Sequence, residues 1–180
     1  MLCMSYQWDG VGSLPVVGAK ELPARIDPDT AWADDEPVGE YLAAVRPIID
    51  LIHRSTGVPK PVWQPIEFRG ISTLLPELQN ARQIARILRL ESEHALFHGD
   101  ADRALRAIES LRATAEVYDW HLFLVGELVN IALRHIHLDI IARSLSVDLW
   151  SEDQVAALLA SLRAPLPIAA RWRASLATEQ

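Results

Sequence analysis

A chain of 180 residues, half of them hydrophobic, is long enough for one domain with a substantial core and too short for two. Its 17 basic and 24 acidic residues give a formal net charge of -7. The chain therefore lacks the positive charge with which proteins neutralise nucleic-acid phosphates, and we expect no nucleic-acid partner. The single cysteine, Cys3, excludes an internal disulfide and a cysteine-rich zinc site.

The sequence shows neither a targeting pattern nor a membrane-spanning one. Residues 1–33 carry scattered Pro, Gly and Asp without a sustained period, which predicts a poorly ordered lead-in that does not resemble a signal peptide. The most apolar region, residues 120–145, is interrupted by Glu127, Arg134 and Asp139. It falls short of the roughly 18 uninterrupted apolar residues of a spanning helix. We therefore expect a cytoplasmic location.

The first predicted helix opens a single helical domain that we assign to residues 34–180. Asp35 is placed to accept hydrogen bonds from the free amides of the first turn, and apolar residues follow at three-and-four spacing as far as Ile52. Pro47 falls inside this pattern. Because proline removes one backbone donor, it predicts a kink near residues 43–47.

A proline-rich strap follows this helix over residues 56–70. Three prolines within seven residues are incompatible with a helix interior and predict an extended connection. Its larger apolar side chains are predicted to lie across the helices and cover the core, and the alternative is an exposed aromatic docking site. These side chains are Trp63, Ile66 and Phe68.

Two further helices are predicted on either side of Gly99. Apolar residues repeat at helical spacing over residues 73–98 and again over residues 101–117. Glycine readily adopts the left-handed conformation that ends a helix, and Asp100 is suited to begin the next one. Since so few residues separate the two apolar stripes, we expect the helices to fold back antiparallel.

Two more helices are predicted in the second half of the chain. The first, over residues 119–145, is apolar on nearly all sides, which predicts the most buried helix of the fold. The start of the second is marked by Ser151 with Gln154 at the spacing of a capping box, and by Trp150 with Val155 at the positions of a hydrophobic staple.

The sequence contains no alternation of apolar and polar residues that would predict a strand, and no hairpin dipeptide. We therefore predict an all-α fold, an array of about four or five antiparallel helices. A short amphipathic tail over residues 168–178 is predicted either to add a further partial helix or to fray.

The two predicted helices and the turn at Gly99 resemble the helical hairpin of a tetratricopeptide repeat. Small residues stand on its first helix, a Gly-Asp pair forms the turn, and an apolar stripe begins the second helix. The residues that carry the resemblance are Ser92, Ala95, Gly99, Asp100, Ala104, Leu105 and Ile108. The resemblance covers about one repeat and implies a tetratricopeptide-like hairpin.

Over roughly residues 35–178 the chain is also similar to a group of uncharacterised helical proteins encoded in planctomycete and related bacterial genomes. The similarity rests on a recurring pattern of leucine, alanine and arginine residues, as in LVGELVNIALRHIHLDIIARSL and LWSEDQVAALLASL. Members of this group are often longer and can carry an N-terminal membrane anchor. The resemblance implies that the chain is a shortened relative or a fragment, and it implies no activity.

Histidines near Gly99 raise the alternative of a metal site. Glu91 and His94 have the spacing that di-iron helical bundles use, and His94 with His98 can hold zinc across one helical turn. Third ligands would come from His121, His135 or His137. However, a di-iron site needs two such pairs, and a catalytic zinc helix carries Glu directly after the first histidine, where this chain has Ala95. We therefore predict surface or helix-end histidines and no metal or cofactor.

Three polar residues share a face of the helix predicted to be most buried: Glu127, Asn130 and Arg134. Because a buried charge is costly unless it is paired, we predict that Glu127 pairs with an arginine of the 73–98 helix and fixes the register of the bundle. The candidate arginines are Arg82, Arg86 and Arg89. The alternative is that the three polar residues line a groove that binds a ligand.

No phosphate-binding loop, nucleophile elbow or serine, histidine and aspartate pattern is visible, so no catalytic residue is predicted. The sequence favours a helical protein-interaction or scaffold module that binds a protein partner or self-associates through surplus apolar surface. The alternative is a helical metal- or small-ligand-binding enzyme that uses Glu91, His94 and His98.

Overall fold

The computed structural model describes residues 31–56, 76–117 and 124–162, and all regular structure in these ranges is α-helical. The helices are α1 (Asp35–Ala44), α2 (Arg46–Ser55), α3 (Pro76–Phe97), α4 (Ala101–Val117), α5 (Leu124–Ser144) and α6 (Glu152–Ser161). The all-α prediction is thus confirmed for the described part of the chain. The predicted strap over residues 56–70 and the tail over residues 168–178 lie outside these ranges, apart from Thr56.

The first predicted helix is divided into α1 and α2 at Val45. Pro47 stands in the first turn of α2, where its missing amide costs nothing. The amide of Val45 still donates to Tyr41 O at 3.0 Å, while the amide of Ile48 donates back to Val45 O at 3.0 Å. The predicted kink thus falls at Val45, where the helix is interrupted and the fully buried side chain of Val45 packs at the junction.

The predicted N-terminal cap at Asp35 is wrong by one residue. Asp34 stands at the N-cap of α1, and its side chain makes no capping hydrogen bond. Asp35 lies inside the first turn, and its Oδ1 is 2.8 Å from Nε2 of His98. Its carboxylate therefore contacts the end of α3 instead of capping its own helix.

The predicted turn at Gly99 is confirmed in detail. Gly99 has a φ of 72°, the amide of Gly99 donates to Leu96 O at 3.1 Å, and the amide of Asp100 donates to Ala95 O at 2.8 Å. These two bonds make a Schellman motif, which satisfies the last carbonyls of α3. The side chain of Asp100 then caps α4, because its Oδ1 accepts from the amide of Arg103 at 3.0 Å.

The core is centred on α3, which packs against α1, α4 and α5. Its buried apolar residues are Ala81, Ile84, Ala85, Ile87, Leu88, Leu90, Ala95 and Leu96. The expectation that the helix over residues 119–145 is the most buried is wrong for the part described as α5. Leu128 and Leu138 on α5 are 50% and 51% exposed, because α5 packs against α3 and α4 on one side only among the described helices.

The capping box at the start of α6 is confirmed. Ser151 Oγ accepts from the amide of Gln154 at 3.3 Å, and Gln154 Oε1 accepts from the amide of Ser151 at 2.9 Å. The Gln154 amide group also donates to Asp102 at 2.7 Å, which ties α6 to α4. The staple between Trp150 and Val155 stays a prediction.

Trp32 belongs to the helical domain although it lies in the predicted lead-in. Its side chain is 8% exposed and its indole ring contacts Phe97 edge-on at 5.5 Å between centroids. Residues 1–30 lie outside the described ranges. Within those ranges, no helix combines the length and the apolar character needed to cross a membrane.

Candidate functional site

Three possible metal ligands from two helices meet where α1 begins and α3 ends. Asp35 lies in the first turn of α1, and His94 and His98 lie one turn apart at the end of α3. Asp35 Oδ1 is 3.4 Å from Nε2 of His94 and 2.8 Å from Nε2 of His98, and the two imidazole centroids are 4.4 Å apart. One ligand atom from each of the three side chains lies within 4.8 Å of the others.

The surroundings of His94 favour its neutral form. Burial, followed by the nearby charges of His98 and Arg103, lowers the pKa of His94 to about 4. Its Nδ1 is buried without a hydrogen-bond partner among the described residues. Trp32 lies on one side of the ring, at 6.3 Å between centroids. On the α1 side, the neighbouring residue is Gly39, which has no side chain. A methyl group added there would lie 3.4 Å from His94 Nε2, so this nitrogen lies directly beside the α1 backbone.

Glu91, the third residue of the alternative metal- or ligand-binding site, takes part in a buried ion-pair network. Its side chain is fully buried, and its carboxylate lies 2.7 Å from Arg46 Nη1, 3.1 Å from His53 Nε2 and 3.3 Å from Arg103 Nε. Burial alone would raise the pKa of Glu91, but the hydrogen bonds from His53 and Arg46 outweigh burial and hold this pKa below its ordinary value.

The Glu91 network continues into α4 as a chain of polar side chains. The other nitrogen of His53, Nδ1, is 2.7 Å from Ser110 Oγ, and Ser110 Oγ is 3.1 Å from Thr56 Oγ1. Serine, histidine and glutamate are the residue types of a hydrolase triad. Here, however, Ser110 is 2% exposed in the interior of α4, so a substrate carbonyl cannot reach its hydroxyl in this conformation. The arrangement joins α2, α3 and α4 and is structural.

A second buried carboxylate links α3 to α5. Glu93 is 2% exposed, and its Oε1 lies 3.2 Å from Arg89 Nε and 3.1 Å from Arg143 Nε. Arg89 also contacts Asp139 at 2.8 Å. Burial raises the pKa of Glu93 although the two arginines act in the opposite direction. The Arg89–Glu93 pair follows from the four-residue spacing along one helix. The contacts of Asp139 and Arg143 could not be predicted because these residues lie on a separate helix.

Of the polar residues predicted on α5, Glu127 and Asn130 are buried and Arg134 is partly buried. Asn130 donates from Nδ2 to Ala115 O at 2.9 Å and accepts from Arg134 Nε at 2.8 Å. Glu127 is 3% exposed. Among the candidate partners for Glu127, Arg89 contacts Glu93 and Asp139, whereas Arg82 and Arg86 are exposed. The predicted Glu127 pair and the alternative polar groove both stay predictions.

The outer side of α5 carries a row of exposed residues that we call the α5 ridge. Its members are Leu128, Ile131, His135, Leu138, Ala142 and Leu145. They recur at alternating intervals of three and four, and the four large apolar members are 38 to 51% exposed. Leu145 directly follows α5 and continues its hydrogen bonding, since its amide donates to Ile141 O at 2.9 Å. The regular spacing places all six side chains on one stripe of the helix surface.

No family model, no curated protein and no solved structure matches this chain.

Proposed function

We propose that the protein is a helical interaction module that self-associates as a homodimer through the α5 ridge. The observation that carries this proposal is the row of four large exposed apolar side chains along the ridge. Exposed apolar surface of this kind on a helix marks interaction sites, since each leucine removed from water contributes to association.

The spacing of the α5 ridge is that of a coiled-coil seam. Alternating intervals of three and four give the average period of 3.5 residues at which two helices keep the same faces in contact. Leu128 and Leu138 are the most exposed apolar members. A second helix laid along the ridge would cover both.

A second copy of the chain, in antiparallel orientation, fits the order of residues on the ridge. A two-fold axis between residues 135 and 138 places Leu128 opposite the partner's Leu145. By the same symmetry, Ala142 faces the partner's Ile131 and His135 faces the partner's Leu138. Each layer of the seam then contains a large apolar side chain, and the small Ala142 lies against a large one, as close packing requires.

A parallel pair would fill the same seam less well. Each residue would then face its own copy, so that two Ala142 side chains would meet in one layer and two His135 rings in another. The alanine layer would leave unfilled space, which is unfavourable in a packed interface. The histidine layer would bury two polar rings together, and they would repel each other when protonated. The composition of the ridge therefore favours the antiparallel pair.

We also propose that residues 76–117 form a tetratricopeptide-like hairpin and that the chain is related to the planctomycete helical proteins that it resembles. The left-handed Gly99 supports the hairpin, as does the burial of Ala95 and Ala104 in one cluster. Such a hairpin would present α5 as an outer element of a scaffold.

Sedimentation equilibrium of the full chain tests the proposal. Wild type is expected at twice the chain mass of 20.1 kDa. Leu138→Arg is expected to be monomeric, because it places a positive charge from each copy close to the two-fold axis, within the apolar seam. Leu159→Arg on α6 is the matched control, since Leu159 is 54% exposed and lies outside the ridge. A monomeric wild type, or equal behaviour of the two variants, would overturn the proposal.

A further inference from the structure

We infer that Asp35, His94 and His98 bind a divalent transition metal, with zinc as the best fit. This site is independent of the proposed self-association. It differs from the metal site considered from the sequence, because the carboxylate comes from α1 and not from Glu91. Two imidazole nitrogens and one carboxylate oxygen are a common ligand set of zinc, which leaves a fourth position for water.

The distances from the Asp35 carboxylate oxygen to the two imidazole nitrogens are close to those of tetrahedral coordination. Ligands about 2.0 to 2.1 Å from zinc stand about 3.3 Å from one another at tetrahedral angles. Asp35 Oδ1 and His94 Nε2, at 3.4 Å, already have this separation. Asp35 Oδ1 and His98 Nε2, at 2.8 Å, must separate by about half an ångström, and the His98 side chain is 47% exposed and has room to move.

Helix geometry fixes the relative positions of the two histidines before any metal binds. Residues four apart on a helix lie on the same face, so His94 and His98 present their rings together. The Gly99 turn holds the last residues of α3 in place, and Phe97 contacts the His98 ring edge-on at 5.3 Å between centroids. Apart from the adjustment of about half an ångström at His98, binding therefore requires little ordering of side chains, which favours affinity.

The surroundings provide a partly apolar shell on one side and access to solvent on the other. Trp32 and Phe97 flank the histidines, while Asp35 is 31% exposed and His98 is 47% exposed. A metal ion can therefore reach the site without opening the core. An apolar shell strengthens the attraction between the ion and its carboxylate ligand. The bound metal would connect the start of α1 to the end of α3.

Calorimetric titration of tag-free, metal-stripped full chain with zinc chloride tests this inference. Wild type is expected to bind one zinc ion per chain. Asp35→Asn and His98→Ala alter exposed or half-exposed ligands and should each weaken zinc binding at least 10-fold while the far-UV circular dichroism stays unchanged. Asp50→Asn makes the same change as Asp35→Asn at an exposed carboxylate of α2 outside the site, and it should bind zinc as wild type does.

Cobalt(II) supplies a second readout that does not depend on heat signals. Wild type with one equivalent of Co²⁺ should show the intense visible absorption of four-coordinate cobalt, and Asp35→Asn should lose it. The inference is overturned if wild type binds no zinc at micromolar concentrations. It is also overturned if Asp35→Asn and His98→Ala both bind zinc as tightly as wild type, or if Asp50→Asn loses binding as they do.

Discussion

Arg46, at the start of α2, donates a 2.7 Å hydrogen bond to Glu91, which is fully buried in the core helix α3. This contact spans 45 residues and joins the N-terminal helices to the α3–α4 hairpin. His53 and Arg103 contact the same carboxylate from α2 and α4. One buried negative charge thus sets the relative positions of three helices.

Glu91→Leu should destabilise the fold strongly. The substitution leaves Arg46 and Arg103 without their buried counter-charge, and losing one partner of a buried ion pair costs about 3 to 5 kcal/mol. Because both arginines are partly exposed and can turn towards water, we expect the lower end of that range in urea denaturation. Glu116→Leu, which breaks the exposed Arg112–Glu116 pair, should cost less than about 1 kcal/mol. Similar losses for both variants would contradict the structural role of Glu91.

Gly99→Ala should destabilise the hairpin through its backbone alone. No atom lies within 4 Å of a methyl group added at Gly99, so no clash contributes, but a φ of 72° costs a non-glycine residue about 1 to 2 kcal/mol. Gly99→Asn should cost less, because asparagine tolerates this conformation better than alanine. Thermal unfolding of the two variants measures the difference. An alanine variant as stable as wild type would show that the turn is not left-handed.

Ser151→Ala should weaken the start of α6. The substitution removes the acceptor for the Gln154 amide, and loss of an N-cap side chain costs about 1 kcal/mol. Ser151→Asp retains an acceptor at the same position and should be close to wild type in urea denaturation. If the alanine and aspartate variants proved equally unstable, the cap would not be the cause.

Because of His137, we expect the folded protein to lose stability in mild acid. Burial, followed by the nearby Arg112 and Arg134, lowers the pKa of His137 to about 4. In the unfolded chain, His137 takes up a proton as the pH falls below about 6.5. In the folded chain, it stays neutral until the pH nears 4. The free energy of unfolding therefore falls between these two pH values. The contribution of His137 at pH 4 is roughly 3 kcal/mol.

His137→Leu isolates this contribution. The variant should lose less stability than wild type between pH 6.5 and pH 4, as followed by urea denaturation at each pH. His94 and Glu93 titrate abnormally in both proteins, so the comparison of the two curves cancels their effects. Parallel curves for variant and wild type would exclude His137 as a source of the acid sensitivity.

The helix ends could be predicted from the sequence because their signals are local. Gly99 and the Ser151–Gln154 capping box act within a few residues, and both are found as expected. The meeting of Asp35 with His98, 63 residues away, could not be predicted, because it depends on how each helix is rotated about its axis. The same holds for His53 and Glu91, 38 residues apart.

The burial of α5 was predicted wrongly for a physical reason. A helix that is apolar on all sides is buried only when neighbouring helices cover every side. Among the described helices, α5 packs against α3 and α4, and Leu138 on its opposite side is 51% exposed. Composition gives the apolar character of a helix, whereas the number and arrangement of its neighbours decide how much of it is covered.

Disulfide trapping across the α5 ridge tests the proposed antiparallel homodimer most directly. In a Cys3→Ser background, the double variant Leu128→Cys/Leu145→Cys should form cross-linked dimers under mild oxidation, because the two positions face each other across the two-fold axis. Each single variant should stay uncross-linked, since about 17 residues of helix separate its cysteine from the copy in the partner by about 25 Å. Cross-linking of Leu128→Cys alone, or none in the double variant, would contradict the account.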